Sequence, residues 1–244
     1  EETDYDLELN RSLFISDKCK NIPNLVFPQY FEKHSSSKIL TMSWVDGLHL
    51  SEFTKENKNQ ELANELGQTL WDFYMYQMHE LKQVQADPHP GNFLITDDNK
   101  LGVIDFGCIK EIPEDFYGPY FEMTNKETLD DPLAFENMLK SLEMIRDDDS
   151  NEAKHFFKEM FHQMLSMLSL PFQGESFDFS SASFLANLAS LGEKYGKSDD
   201  IRKYNVNRGV QHLLYMNRTF FGLYNLLHDL KANIRVNDYK KMLS

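Results

Sequence analysis

The sequence predicts a mostly helical α+β fold, and three patterns along the chain lead to that prediction. Helical periodicity runs through residues 3–19 and 60–82 and through most of the chain after residue 113. Short apolar runs between turn residues predict two early strands, at 25–31 and 38–45, and a later hairpin with strands at 93–96 and 101–104. A chain of 244 residues, 41% of them hydrophobic, is long enough to bury a sizeable core around these elements.

The helices predicted after residue 113 follow one another with short breaks. We expect them at 115–127, 131–145, 151–169, 181–195, 204–230 and 237–243, with a linker at 170–180. Two of them, at 151–169 and 204–230, carry stripes of Phe, Met, Leu and Tyr at helical spacing. Amphipathic helices of helical domains have such stripes, so we favour core packing over a lipid or partner groove for both.

The overall charge limits the kinds of partner. A net charge of −14 argues against nucleic acid, which is bound by clustered Lys and Arg, and against a broad electrostatic hold on anionic lipid. The two cysteines, Cys19 and Cys108, make no disulfide framework, which fits a reducing, cytoplasmic setting. The sequence contains no uninterrupted apolar run that is long enough to span a bilayer.

The most specific motif surrounds the predicted hairpin. Asp87 opens the run DPHPGN, which ends at Asn92, and the run IDFG beyond the hairpin contains Asp105. A β-hairpin returns the chain to where it began, so residues that bracket it converge in space. An Asp, Asn, Asp series at these spacings is the catalytic-loop and metal-loop pattern of the protein-kinase-like fold.

The chemistry of these three side chains fits phosphate transfer. The amide oxygen of Asn92 and the carboxylate of Asp105 are hard ligands suited to Mg²⁺, while Asp87 would orient a hydroxyl or water and accept its proton. Either fragment alone would equally fit a solvated turn or a strand end, but the two in this order favour a kinase-like site. His89 lies in the same loop, and we expect it to pack or hydrogen-bond there rather than to act in catalysis.

Three segments resemble the UbiB/AarF-type atypical kinase-like family, which includes the mitochondrial coenzyme Q proteins. The first is QADPHPGN at 85–92 together with VIDFG at 103–107. The second is ETDYDLELN at 2–10, which is similar to the family's Glu-x-Asp-Tyr-x-x-Glu-Ala-x-Asn helix, with Leu9 where Ala is usual. The third is SWVDG at 43–47, similar to the family's hinge, with Ser43 where an acid is common.

The resemblance implies a protein-kinase-like fold in two parts. Residues 1–46 would form a partial N-lobe of one helix and two strands, and residues 47–244 a helical C-lobe with the catalytic and metal-binding loops. Asp87 matches the catalytic-loop acid, and Asn92 and Asp105 match the metal ligands.

The helix at 2–10 adds further site residues through the same resemblance. Glu2 and Asp4 match the family's own Glu-x-Asp motif, and Glu8 matches the partner of its nucleotide-binding lysine. The resemblance implies ATP and Mg²⁺ as cofactors and an ATPase or unconventional kinase activity that supports isoprenoid quinone or lipid metabolism. The implied partners are a nucleotide, a quinone or lipid precursor, and a membrane surface touched peripherally by an otherwise cytoplasmic protein.

Several family features that precede the Glu-x-Asp helix are not in these 244 residues: the nucleotide-binding lysine, the alanine-rich nucleotide loop and the Lys-x-Gly-Gln segment. We therefore expect the chain to be the C-terminal portion of a longer protein and to be inactive as an isolated fragment. Two alternatives stay open. One is a small-molecule phosphotransferase of the aminoglycoside or choline kinase type, against which the helix at 2–10 argues. The other is a non-catalytic kinase-like regulatory scaffold, against which the intact Asp, Asn, Asp series argues.

Overall fold

Helices make up most of the computed structural model of the chain, which describes residues 4–56, 59–199, 201, 204 and 208–243. The first, α1, runs from Tyr5 to Cys19. It begins where the Asp4 carboxylate accepts a hydrogen bond from the Leu7 backbone amide (3.2 Å), which satisfies one of the amides left free at a helix start. This capped helix is the one predicted at 3–19.

A four-stranded sheet has the order β1-β5-β4-β2. Its strands are β1 (Leu25–Val26), β2 (Leu48–His49), β4 (Phe93–Ile95) and β5 (Leu101–Val103). Strands β4 and β5 are antiparallel, with Phe93 opposite Val103, which confirms the predicted hairpin. Strand β1 joins the same sheet in parallel with β5.

The prediction of a strand at 38–45 is wrong. Isolated bridges join Tyr30 to Met42 and Ser36 to Ile39 there, without a continuous ladder. The cause is side-chain competition, because the Ser35 hydroxyl accepts a hydrogen bond from the Thr41 amide (3.0 Å). A serine that occupies a backbone amide in this way removes it from pairing with a neighbouring strand.

The predicted helix at 60–82 has two parts. Helix α2 (Leu50–Glu56) precedes it, and α3 runs from Gln60 to Tyr76 after an Asn59 cap. The continuation, Gln77–Leu81, is a π-helical turn, and the left-handed Lys82 (φ 51°) ends it. Such turns are uncommon and frequently lie next to functional sites. This one leads directly into β3 (Gln83–Gln85), which pairs with β6 (Ile109–Glu111).

The chain after residue 113 is helical, as predicted, with shorter elements than the periodicity suggested. The predicted helix at 115–127 ends early because Asn125 caps a new helix by accepting a hydrogen bond from the Glu127 amide (3.0 Å). The predicted linker at 170–180 contains a strand that pairs with one near the C-terminus. The elements are α4 (Glu114–Phe121), α5 (Lys126–Asp130), α6 (Pro132–Ser141), α7 (Asn151–Leu168), β7 (Ser176–Asp178), α8 (Ala182–Gly196), α9 (Gln211–Asp229) and β8 (Asn233–Arg235).

The core is rich in aromatic residues. Trp71, Tyr74, Tyr120, Phe220 and Tyr224 are fully buried, and burial of side chains this large dominates core energetics. Most of the two predicted apolar stripes also lies in this core, but Phe221 on α9 is 44% exposed. No described helix is long and apolar enough to cross a membrane.

Candidate active site

The loop between β3 and β4 holds two of the predicted site residues in a fixed relation. The Asn92 side chain donates a hydrogen bond from Nδ2 to the Asp87 carbonyl oxygen (3.0 Å). His89 closes the turn between them: its Nδ1 accepts a hydrogen bond from the Gly91 amide (3.1 Å), and its carbonyl oxygen accepts one from the Asn92 amide (3.0 Å). His89 therefore shapes the loop, in the packing and hydrogen-bonding role expected for it.

The hairpin brings Asp105 to the same place. The Ile104 amide donates to the Asn92 carbonyl oxygen (3.1 Å), so the residue before Asp105 is bound to the end of the loop. The Asp105 carboxylate is oriented in turn by a hydrogen bond from the Gly107 amide to Oδ1 (2.8 Å). Asp87, Asn92 and Asp105 thus gather at one end of a single hairpin, as their spacing predicted.

Glu8 reaches this site from α1. A methyl group added at Gly107 would lie 3.5 Å from Glu8 Oε2 and 3.3 Å from Asp105 Oδ1, so both carboxylates face the same glycine. Burial, followed by the charge of Asp105, raises the pKa of the half-buried Glu8, while the nearby Arg11 opposes the shift. The negative charge of Asp105 beside Glu8 makes this a favourable place for a cation.

Asp4 and Glu2 are the other two predicted residues of the helix motif. Asp4 is the cap of α1, the helix that carries Glu8. Glu2 lies outside the described residues. Arg11 lies further along α1 and donates from Nη1 to the Gly107 carbonyl oxygen (2.9 Å), which fastens the helix to the loop after Asp105.

Behind the site lies a buried polar relay that the sequence did not reveal. Gln85, 1% exposed, accepts a hydrogen bond at Oε1 from the Tyr74 hydroxyl (3.0 Å) and donates from Nε2 to the Asp105 carbonyl oxygen. Its backbone amide donates to Gln77 Oε1 (3.1 Å), at the start of the π-helical turn. The position of Gln85 between the apolar residues Val84 and Ala86 is the one sequence signal of this relay, since buried amides must find partners.

Helix α9 packs against the loop between β3 and β4. Arg218 donates from Nη2 to Asp87 Oδ1 (3.1 Å), although its side chain is 71% exposed. One turn later, a methyl group added at Gly222 would lie 2.3 Å from Pro88 Cγ, so only a glycine fits there. The sequence offered no signal for either contact, because both depend on how the last long helix packs.

A cavity lies beside residues 43–47, the segment that resembles the family's hinge. It has a volume of about 400 Å³, and its lining includes residues 40–45, Gly47, Leu94 and Ile104. Gly47 is required where it stands, since an added methyl group would lie 2.5 Å from the Ile95 carbonyl oxygen. The lining residues therefore extend from this segment to Ile104, the residue before Asp105.

Comparison with known proteins identifies the family. Residues 1–138 match the ABC1 atypical kinase-like domain, which is more than half of the chain. The chain belongs to the ABC1 atypical kinase-like family. The predicted UbiB/AarF-type membership is thereby confirmed, and the chain is an atypical kinase-like protein.

Several curated relatives are similar over part of their length. "Atypical kinase COQ8B, mitochondrial" of Danio rerio is 26% identical over 191 residues, which cover 78% of this chain and 30% of that protein. "Atypical kinase COQ8, mitochondrial" of Saccharomyces cerevisiae is 25% identical over 182 residues, which cover 73% of this chain and 35% of that protein. "Protein ACTIVITY OF BC1 COMPLEX KINASE 3, chloroplastic" of Arabidopsis thaliana is 37% identical over 92 residues, covering 38% and 13%. The chain spans about a third of the length of the first two.

The same fold occurs among solved structures. Rv3197 of Mycobacterium tuberculosis, in complex with erythromycin, matches with a TM-score of 0.71 and 18% identity, covering 99% of this chain and 58% of that one. At this identity the likeness concerns the fold alone. It confirms the predicted mostly helical α+β fold of the protein-kinase-like kind.

Proposed function

We propose that the chain is the catalytic portion of a Mg²⁺-ATP-dependent ATPase or phosphotransferase of the ABC1 family. One observation carries the proposal: hydrogen bonds hold the three predicted residues together. Asn92 Nδ2 donates to the Asp87 carbonyl oxygen (3.0 Å), and the amide of Ile104, the residue before Asp105, donates to the Asn92 carbonyl oxygen. Phosphoryl transfer needs positioning and charge neutralisation more than covalent chemistry from the protein, and three convergent oxygen-bearing groups supply both.

Asn92 and Asp105 are the residues that would hold Mg²⁺. The Asn92 Nδ2 donates one hydrogen bond to a backbone carbonyl, which leaves Oδ1 of the same amide as the available ligand. Asp105 has a second oxygen beyond the one bound by the Gly107 amide. Both are oxygen donors of the kind Mg²⁺ prefers. When bound, the ion would neutralise charge on the nucleotide phosphates.

Glu8 supports the same proposal. Its raised pKa reflects burial and a second carboxylate nearby, so a cation between Glu8 and Asp105 would relieve an unfavourable pairing. We assign Glu8 the role of partner to a nucleotide-binding lysine, which the family carries in a segment preceding this helix. Asp87 then orients the attacking hydroxyl or water and accepts its proton.

The cavity beside the hinge is the proposed place for the adenine ring. Its volume of about 400 Å³ and its lining of mostly apolar residues with a few polar ones, such as Thr41 and His49, are typical of small-molecule sites. It leads through Ile104 toward Asp105, so a nucleotide lying there has its phosphates near the proposed metal ligands. Residues 1–46 and 47–244 would be the partial N-lobe and the C-lobe that border this cleft.

The biological role proposed for this activity is support of isoprenoid quinone or lipid metabolism at a membrane surface. The names of the relatives in Danio rerio and Saccharomyces cerevisiae call them mitochondrial atypical kinases, and that similarity is the support for the role. A cytoplasmic protein in peripheral membrane contact remains the prediction for this chain.

The test is nucleotide turnover by the full-length native protein and two variants. Asp105→Asn keeps the shape of the side chain but removes the metal-binding charge, so we expect Mg²⁺-dependent ATP turnover to fall by at least about 100-fold. Asp97→Asn makes the same chemical change at the exposed opposite end of the hairpin, and it should turn over ATP at the unmodified rate. Robust turnover by Asp105→Asn would contradict the role given to Asp105.

Two further measurements separate the alternatives. A screen of soluble hydroxylated acceptors that yields one rapid substrate would favour a small-molecule phosphotransferase. Thermal stabilisation by Mg²⁺-ATP without turnover would favour a regulatory scaffold, since a ligand that binds the native state raises its stability whether or not it reacts.

A further inference from the structure

An apolar cavity of about 560 Å³ lies between α7, α8 and α9, away from the hinge. Phe161 and Leu165 of α7, Leu188 of α8 and Phe221 of α9 form much of its wall. Two of its residues are large apolar side chains left open to solvent: Leu214 is 79% exposed and Phe221 is 44% exposed. Apolar surface left open beside a cavity is typical of a binding site.

The size of the cavity favours a small molecule as its occupant. Ligand sites in proteins usually measure about 300–1,000 Å³ and are lined mainly by apolar side chains with a few polar groups. Here the one charged residue among the described residues of the lining is Arg218. That arginine sits at the boundary with the catalytic loop, so the polar end of the cavity is the end nearest Asp87.

The Arg218–Asp87 pair determines which head group fits there. Arg218 donates to Asp87 through Nη2, and its exposed side chain leaves other guanidinium hydrogens for a ligand. An anionic head group on Arg218 would stand next to the Asp87 carboxylate and be repelled by it, while a cationic one would be repelled by the guanidinium. A neutral hydroxyl satisfies both, because its oxygen accepts from Arg218 and its hydrogen points to Asp87.

We infer that this cavity binds an apolar alcohol and presents its hydroxyl to Asp87 as the phosphate acceptor. The acceptor role rests on the proposed function, whereas the binding site rests on the cavity alone. In the transfer, the alcohol oxygen forms a bond to the γ-phosphorus of ATP as the bond from that phosphorus to the β,γ-bridging oxygen breaks. Asp87 takes the hydroxyl proton and passes it to solvent, and the products are an alkyl phosphate and ADP.

Three probes with the same alkyl chain test the head-group assignment: octanol, octanoate and octyltrimethylammonium. Each is titrated into the full-length native protein without nucleotide, and binding is followed by ligand-observed NMR. We expect saturable binding of octanol and at least about tenfold weaker binding of the two charged probes. Tighter binding of octanoate than of octanol would overturn the inference, as would the absence of saturable octanol binding.

Two glycines of α8 provide the matched variants for the location. A methyl group added at Gly192 or at Gly196 meets nothing within 4 Å, so both positions accept a larger side chain. Gly192 lines the cavity and Gly196 does not. We expect Gly192→Leu to weaken octanol binding by about tenfold or more and Gly196→Leu to leave it unchanged. Equal binding by both variants would overturn the assignment of the site to this cavity.

A third arm separates this inference from the proposed function. Asp105→Asn should bind octanol as the unmodified protein does, because Asp105 is not in the cavity lining. With Mg²⁺-ATP present, octyl phosphate should form in the unmodified protein and not in Asp105→Asn. If octanol binds in the cavity but no octyl phosphate forms while ATP is hydrolysed, the acceptor role is wrong although the binding site stands. If ATP is not turned over at all, the proposed function fails and the NMR result alone decides the cavity.

Discussion

The hairpin region, residues 83–111, and the helices after residue 113 position their side chains in different ways. In the hairpin region, hydrogen bonds fix each functional group, such as those from Asn92 to the Asp87 carbonyl oxygen and from Gly107 to Asp105. In the helices, aromatic packing dominates, as in the contact of Phe220 with Tyr224 at a ring-centroid distance of 5.8 Å. Hydrogen-bonded geometry requires particular residues at particular spacings, whereas packing accepts many apolar combinations.

The two regions meet at the loop between β3 and β4. Arg218 bonds to Asp87 and Gly222 lies against Pro88, so the helical region supplies one side of the candidate site. We therefore expect two classes of variant. Variants among the helices should lower stability without changing turnover, whereas variants at or behind the loop should lower both.

The largest expected effect is on stability alone, at a buried ion pair among the helices. Arg208 donates two hydrogen bonds of 2.6 Å to the Asp149 carboxylate, and the two side chains are 6% and 8% exposed. Asp149→Ala leaves a buried, unpaired guanidinium, so we expect a loss of roughly 3–5 kcal/mol in the free energy of unfolding. Turnover per folded molecule should not change.

The control for that variant is its exposed neighbour. Asp148→Ala should change the unfolding free energy, measured by urea titration, by less than about 0.5 kcal/mol. A loss below about 1 kcal/mol for Asp149→Ala, or a fall in its turnover while it is folded, would contradict the prediction that this ion pair affects stability and not turnover.

The next effect concerns the relay behind the hairpin. Gln85→Leu leaves the Tyr74 hydroxyl and the Asp105 carbonyl oxygen without their buried partner, at a cost of about 1–3 kcal/mol. Because the relay holds the backbone of a proposed metal ligand, we also expect ATP turnover to fall by at least about tenfold. The matched control is Gln83→Leu on the same strand. A destabilised but fully active Gln85→Leu would show that the relay supports the fold without positioning Asp105.

A smaller effect is expected where the helix touches the loop. Gly222→Ala gains helix propensity but forces the added methyl group against Pro88, for a net loss of about 1 kcal/mol. Gly196→Ala meets open space and should stabilise the protein slightly instead. Turnover by Gly222→Ala should fall because Pro88 adjoins Asp87. If both variants raise the melting temperature equally, the contact between α9 and the loop is looser than the structure shows.

The smallest effect is a pH dependence at the same buried pair. The hydrogen bonds from Arg208 hold the pKa of Asp149 below its ordinary value of 3.8. A carboxylate with a lowered folded-state pKa contributes stability that is complete above its unfolded-state pKa and is lost as pH falls toward the folded value. The stability difference between the unmodified protein and Asp149→Ala should therefore be constant above about pH 5 and narrow below about pH 4. A difference that stays constant to pH 3 would contradict this.

The positions of the candidate site residues could be predicted from the sequence better than the contacts around them. The hairpin and the convergence of Asp87, Asn92 and Asp105 were predicted because each depends on local turns and on the return of one short hairpin. The strand predicted at 38–45 does not form, because the Ser35 hydroxyl accepts the hydrogen bond of a backbone amide that pairing needs. Arg218 and the Gln85 relay were missed because they depend on tertiary packing across more than a hundred residues or inside a buried turn, where periodicity carries no information.

The most direct test of the account is whether Asn92 and Asp105 hold a divalent cation on a nucleotide. Mn²⁺ can replace Mg²⁺ as a paramagnetic probe, and water-proton relaxation then reports its binding to the full-length protein in the presence of ADP. We expect a tight ternary complex in the unmodified protein and in Asp97→Asn, and a loss of at least about 100-fold in Mn²⁺ affinity in Asp105→Asn and Asn92→Leu. Equal Mn²⁺ affinity in all four proteins would contradict it.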